Sequence, residues 1–329
     1  LRAAYQELAG RLDTHGIETV ALKGIHLAWT AYPNPALREM ADIDILIRAG
    51  SLAQVMATFA QLGYRNVGNV TADLAIKTLH ETQFVRHGVR FDVHWRLSQI
   101  DRPPFVTTEE LFARAVPFAD RPNTFALAPA DALIHICAHA AGATPLEQGI
   151  RSLFDVAHIT RLWSDHLDWQ TVTDRAAAWK CDRSVALTLT LARRHAGAQI
   201  PAPLQGWLAT HAPPNAIADL AMAQATSLHR AAIPVDVGRL LDTTSPWTKM
   251  RAAAAAAYLS NDQLRLLYPW VEQVPLGAIG ARVARVFSLL WRYAPVLRRA
   301  RYKPTDPFAV AVNRRNQIAA WLCGRDARS

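Results

Sequence analysis

Two carboxylates stand two residues apart in Met40-Ala41-Asp42-Ile43-Asp44-Ile45-Leu46-Ile47, a run whose β-branched and aliphatic residues otherwise read as a strand. Strand residues two apart share a face, so Asp42 and Asp44 point the same way, with oxygens close enough to share a divalent cation. Two like charges at that spacing raise each other's pKa unless a cation or basic group compensates them. Mg²⁺ is the simplest partner for such a pair. A third carboxylate, Asp92, lies in Phe91-Asp92-Val93-His94-Trp95, with His94 on the same strand face.

The surrounding pattern predicts what positions these groups. Residues 1 to 15 read as an amphipathic helix ended by Gly16, and Ile17 to Leu22 as a strand running into Lys23-Gly24. A short helix over Ile25 to Ala31 follows. Tyr32-Pro33-Asn34-Pro35 then interrupts regular structure, because its prolines remove donors and push the preceding residues to extended geometry. Ser51 is the expected N-cap of a helix from Leu52 to Leu62, and Gly63 its stop. Residues 80 to 87 and 89 to 97 predict a hairpin turning at His87-Gly88, with Asp92, His94 and Arg96 on one face of its second strand and Phe91, Val93 and Trp95 on the other. From Asp131 onward the period is helical, and Pro129, Pro213-Pro214, Pro234, Pro246 and Pro304 mark helix boundaries. The fold class is α+β, with an α/β region joined to a mostly helical one near residues 115 to 130.

With 329 residues, 51% of them hydrophobic, the chain can bury a substantial core. Cys137, Cys181 and Cys323 are far apart and in no CxxC spacing, which disfavours a disulfide framework or thiolate zinc site and suits a reducing cytoplasm. No signal peptide is expected at the start. No transmembrane helix is expected either, since Arg282, Arg285 and Arg292 break the apolar stretch from Ala281 to Pro295. The net charge of +9 belongs to residues 280 to 329, which hold eleven Lys or Arg against two Asp. That segment could steer an acidic partner or form a solvated, Arg-rich helix face. The ten Trp residues are not interleaved with basic ones in a single stretch, so nucleic acid is not the expected partner. No GxSxG, P-loop, GxGxxG or protein-kinase set competes with the carboxylates.

Leu22-Lys23-Gly24, then Tyr32-Pro33-x-Pro35-x-x-Arg38-x-x-x-Asp42-Ile43-Asp44, then Phe91-Asp92-Val93-His94-Trp95 resembles the DNA polymerase β-like nucleotidyltransferase superfamily. More closely, the run looks like a bacterial nucleotidyltransferase family often found beside peptide-modification or polysaccharide genes. The resemblance continues from Leu127-Ala128-Pro129-Ala130-Asp131 through His135, His139, Arg151 and Asp155, and so covers the first half of the chain. It implies a catalytic domain with a mixed sheet over residues 1–120 and a helical, acceptor-binding domain over 121–329. It also implies a nucleotide donor, an NTP foremost, and two Mg²⁺ ions, with Mn²⁺ as a substitute. Asp42, Asp44 and Asp92 would be the catalytic metal ligands, Asp92 serving also as a base. Three carboxylates and two such ions answer the charge on an NTP, whose attacked, leaving and non-bridging oxygens must all be neutralised.

Lys23, Gly24 and Arg38 are the expected nucleotide and phosphate contacts. Gly24 lets the backbone approach phosphate, but the superfamily more often has Gly-Ser where this chain has Lys23-Gly24, so Lys23 either supplies a cation there or pairs with an acidic side chain. Arg38 clamps a phosphate or braces a carboxylate. Glu81, His94, His135 and His139 are candidates for acceptor contact or for supporting the aspartates. His135 and His139 share a helix face, but the intervening Ile136, Cys137 and Ala138 lack the Glu of a zincin motif. Arg151 and Asp155 read as an i,i+4 salt bridge first, or else as part of a helical wall over the active site. The leading expectation is Mg²⁺-dependent transfer of a nucleotidyl group to a hydroxyl or phosphate of a small molecule, peptide or protein. Sugar transfer from a nucleotide donor at the same site, or a non-catalytic antitoxin-like binding module, are the alternatives.

Overall fold

The computed structural model describes residues 1–99, 102–119, 121–142, 145–147, 149–227, 259–302 and 305–324. Among these, seven short strands form one mixed sheet: β1 (Thr19–Ala21), β2 (Ile43–Leu46), β3 (Arg65–Asn66), β4 (Glu81–Arg86), β5 (Val89–His94), β6 (Val116–Pro117) and β7 (Thr124–Ala126), in the order β3-β4-β5-β2-β1-β7-β6. β2 runs parallel to β5, and β1 parallel to β7; the remaining pairs are antiparallel. The α+β class follows, since the residues after β7 are mostly helical.

One face of the sheet is covered by α3 (Leu52–Gln61), whose Phe59 stacks on Phe84 of β4 at 4.1 Å between ring centroids and meets Phe91 of β5 edge-on at 5.3 Å. α1 (Arg2–Thr14) packs beside it. Strand alternation therefore turns Asp92 and His94 to the opposite face. Both side chains there are buried. A carboxylate taken out of water needs compensating partners, so this face must supply them. The β4–β5 turn matches its sequence signal, with His87 and Gly88 at φ +47° and +78°, the left-handed geometry a two-residue hairpin demands.

Several boundaries differ from the sequence-based expectation. β2 begins at Ile43, paired with Phe91, so Asp42 lies just ahead of the ladder and not within it. α2 (Lys23–Thr30) begins at Lys23, which puts Lys23-Gly24 inside the first helical turn. Ser51 makes no side-chain cap, because a 3₁₀ turn over Ala49–Ser51 feeds directly into α3. Residues 115 to 130 contain β6 and β7, so position 120/121 falls between neighbouring strands of this sheet. Pro129 opens α6 (Pro129–Ala140), and Pro213-Pro214 separates helices Ala202–His211 and Asn215–Ala225. Pro234, Pro246 and Pro304 lie outside the described residues.

The chain divides into two compact units, Leu1–His139 with Arg151–Ala212, and Ala140–Ile150 with Pro213–Ser329. The first carries the sheet and also α7 (Arg151–Leu162), packed on helix Asp182–Ala196. In the second, helix Asn215–Ala225 packs on helix Pro307–Leu322, and the Arg-rich sequence enters helices Gly277–Tyr302 and Pro307–Leu322. Arg315 is buried there, so that segment is not uniformly a solvated face. Cys137, Cys181 and Cys323 are free. No helix among the described residues is long and apolar enough to cross a membrane.

Candidate active site

Asp44 and Asp92 are direct partners across the parallel β2–β5 pair. Adjacent parallel strands lie about 4.8 Å apart, so this register sets two buried carboxylates side by side. Lys23 Nζ donates to Asp44 Oδ1 at 2.7 Å, and His94 Nε2 lies 3.0 Å from the same oxygen. Burial works against the Asp44 charge, but Lys23 and His94 overcome it and hold the carboxyl far below the usual range. Burial likewise opposes the charge on His94, yet Asp44 and Glu81 keep its pKa up at about 9. Asp92 goes the other way. Burial, then the charges of Asp44, Asp42 and Glu81, raise it to about 6. Its Oδ1 is buried without a hydrogen-bond partner.

Arg90 links the other two carboxylates. It hydrogen-bonds Asp42 Oδ2, and its Nε lies 3.5 Å from Asp92 Oδ1 without hydrogen-bond geometry. Sequence reasoning missed it, although Arg90 shares strand parity with Asp92, His94 and Arg96. On β4, Glu81 is the register partner of His94 and approaches its Nδ1 to 3.0 Å. Burial opposes ionisation of Glu81, but His94 lowers its pKa to about 2. His135 and His139 lie on α6 with ring centroids 6.1 Å apart, and both sense the charges of Lys23, Asp44 and His94. Burial pushes both imidazoles down, His139 to about 3, so they are neutral at pH 7. Among the described residues, the one trio of His, Cys, Asp or Glu donors within 4.8 Å of one another is His80, Glu81 and His94. The HxxxH pair is not part of it, nor are the three aspartates preassembled to that spacing.

Arg38 does not reach toward solvent. Its Nε and Nη2 form a fork on Asp155 Oδ1 and Oδ2 at 2.7 and 2.8 Å, and Tyr32 Oη donates to the same Oδ1 at 2.7 Å. The expected Arg151–Asp155 bridge is thus replaced: Asp155 faces inward to Arg38, while Arg151 comes within 4.0 Å of the exposed Glu39. A planar guanidinium satisfies a buried carboxylate bidentately, which a helix neighbour one turn away does less well.

Gly24 shows why a side chain is absent there. A Cβ would fall 2.7 Å from Met40 Cγ and 2.9 Å from Met40 Sδ. Met40 therefore lies against the first turn of α2, two residues before Asp42. Gly24→Ala should force Met40 aside and cost about 1–3 kcal/mol, read as a lowered urea midpoint. An unchanged midpoint would show that Met40 repacks freely.

A sequence model of a family described as uncharacterised nucleotidyltransferase matches residues 1–197. None of the curated proteins and none of the solved structures matches the chain. The matched span contains Lys23, all three aspartates, the His135–His139 pair and the Arg38–Asp155 fork. The chain belongs to that nucleotidyltransferase family and is an enzyme of nucleotidyl transfer.

Proposed function

We propose that the protein is a Mg²⁺-dependent nucleotidyltransferase that moves a nucleotidyl group from an NTP to a hydroxyl or phosphate of a small-molecule, peptide or protein acceptor. The observation that carries this is the side-by-side placement of Asp44 and Asp92, with Asp42 joined to Asp92 through Arg90. The residues fit a cation. Asp92 Oδ1 is buried and unpartnered, and the charges of Asp44, Asp42 and Glu81 crowd it. Asp42, Asp44 and Asp92 would hold the metal, which Arg90, 40% exposed, can vacate without unburying a core side chain. Bound there, Mg²⁺ supplies positive charge to the phosphate oxygens and favours the ionised acceptor.

In the proposed reaction the acceptor oxygen attacks the α-phosphorus of the donor, the bond from that phosphorus to the bridging oxygen breaks, and pyrophosphate leaves. Asp92 Oδ1 takes the acceptor proton. Lys23, held on Asp44, adds a fixed cation beside the donor phosphates, and Gly24 lets them approach the first turn of α2 once Met40 shifts. Glu81 orients His94, and His94 orients Asp44. His135 and His139, neutral at pH 7, contact the nucleotide or acceptor as hydrogen-bonding groups. Arg38 acts by bracing the loop before Asp42 against α7. We assign transfer to residues 1–120 and acceptor selection to 121–329.

The test is incubation of the protein with each NTP, Mg²⁺ and candidate acceptors, read by product mass. An added nucleoside monophosphate supports the proposal; an added hexose from a nucleotide sugar would replace it with glycosyl transfer. Full turnover in a protein carrying Asp42→Asn and Asp44→Asn would end it.

A further inference from the structure

We propose that His80, Glu81 and His94 form a second cation site, suited to an ion of the zinc class, whose ligands are none of the three aspartates. His80 directly precedes β4, Glu81 is its first residue, and His94 closes β5, where Glu81 and His94 are register partners. One donor atom from each residue lies within 4.8 Å of the other two. Glu81 Oε2 is common to the short distances, 3.7 Å to His80 Nε2 and 3.0 Å to His94 Nδ1.

The His94 ring gives the independent indication. Its side chain is 3% exposed, and Nδ1, the atom facing the trio, lies 3.0 Å from Glu81 Oε2 without hydrogen-bond geometry. The opposite nitrogen, Nε2, is held at 3.0 Å by Asp44 Oδ1. A carboxylate on the far nitrogen, the usual support of a ligating histidine, fixes the ring with Nδ1 toward the trio, and a metal binding there displaces the proton that Nδ1 carries in the charged ring. Asp44 thus contributes to this site without being a ligand.

Donor chemistry separates the two sites. Two imidazole nitrogens and one carboxylate suit Zn²⁺ or Co²⁺, whereas Mg²⁺ demands oxygen ligands in near-octahedral array. Three protein ligands leave a fourth tetrahedral position open. His80 and Glu81 are 26% and 30% exposed, so an ion and a water can reach the trio from solvent.

The test uses the full chain stripped of metal with a chelator, titrated with Zn²⁺ by calorimetry and with Co²⁺ by visible absorption, both with excess Mg²⁺ present. One equivalent should bind and Mg²⁺ should not displace it. His80→Ala and Glu81→Gln should each weaken binding at least about tenfold, with circular dichroism unchanged because both side chains are partly exposed. Asp92→Asn should bind Zn²⁺ as the wild type does, which separates this site from the proposed catalytic one. No Co²⁺ or Zn²⁺ uptake, displacement by Mg²⁺, or uptake unchanged in His80→Ala would overturn the proposal, as would loss of uptake in Asp92→Asn alone.

Discussion

Asp92→Asn is expected to abolish transfer and, in the absence of metal, to make the protein more stable. The two effects have one cause. Burial and the charges of Asp44, Asp42 and Glu81 hold the Asp92 pKa near 6, above its ordinary 3.8. Between these values the native state binds a proton that the unfolded chain has released. The stabilisation is therefore complete below about pH 4 and is lost as pH rises through 6. At pH 8 the ionised Asp92 costs the fold on the order of 1–3 kcal/mol, which a neutral amide of the same shape removes. In EDTA, the variant should melt about 2–8 °C above wild type at pH 8, and the difference should shrink toward pH 4. Turnover should fall at least about a thousandfold, ~4 kcal/mol of transition-state stabilisation, since a cation ligand and the proton acceptor are lost together. Mg²⁺ should raise the wild-type Tm and leave that of the variant nearly unmoved. A variant that melts earlier than wild type at pH 8 in EDTA, or that retains turnover, contradicts this account of Asp92.

The same residues show what was legible in the chain. Asp42, Asp44 and Asp92 stand out because charged residues interrupt apolar strand patterns, and the His87-Gly88 turn is a local signal that the backbone honours. Asp44 facing Asp92 is not local. Parallel pairing of β2 with β5 joins positions 48 residues apart, and no turn signal sets its register. β6 and β7, two and three residues long, are too short to show a period, so they read as a junction. Arg90 is marked by strand parity alone, which places it on the face of Asp92 and His94 without saying which carboxylate it takes. Asp155 shows a local rule losing to a distant partner: Arg151 stands one helical turn away, yet Arg38, 117 residues distant in sequence, takes the carboxylate.

That fork supports the second large effect. Arg38 is 8% exposed and Asp155 1%, so removing either partner leaves a charge in the interior. Arg38→Met should therefore destabilise the protein by about 3–5 kcal/mol, read by urea unfolding. Replacing both partners, Arg38→Met with Asp155→Leu, removes the two desolvation costs together and should recover most of that loss. Tyr32 Oη, which donates to Asp155, then lacks its acceptor, so recovery stops short of complete by about 1–3 kcal/mol. Activity separates bracing from phosphate binding. Tyr32, Arg38 and Asp42 lie on one loop between α2 and β2, and the fork ties that loop to α7. If Arg38 acts by bracing, Asp155→Asn must lower kcat by a factor similar to Arg38→Met, because either change frees the loop that carries Asp42. A guanidinium that gripped the donor would raise the KM for NTP in Arg38→Met and leave Asp155→Asn close to wild type. With both fork nitrogens already committed to Asp155, the first outcome is the one the geometry requires.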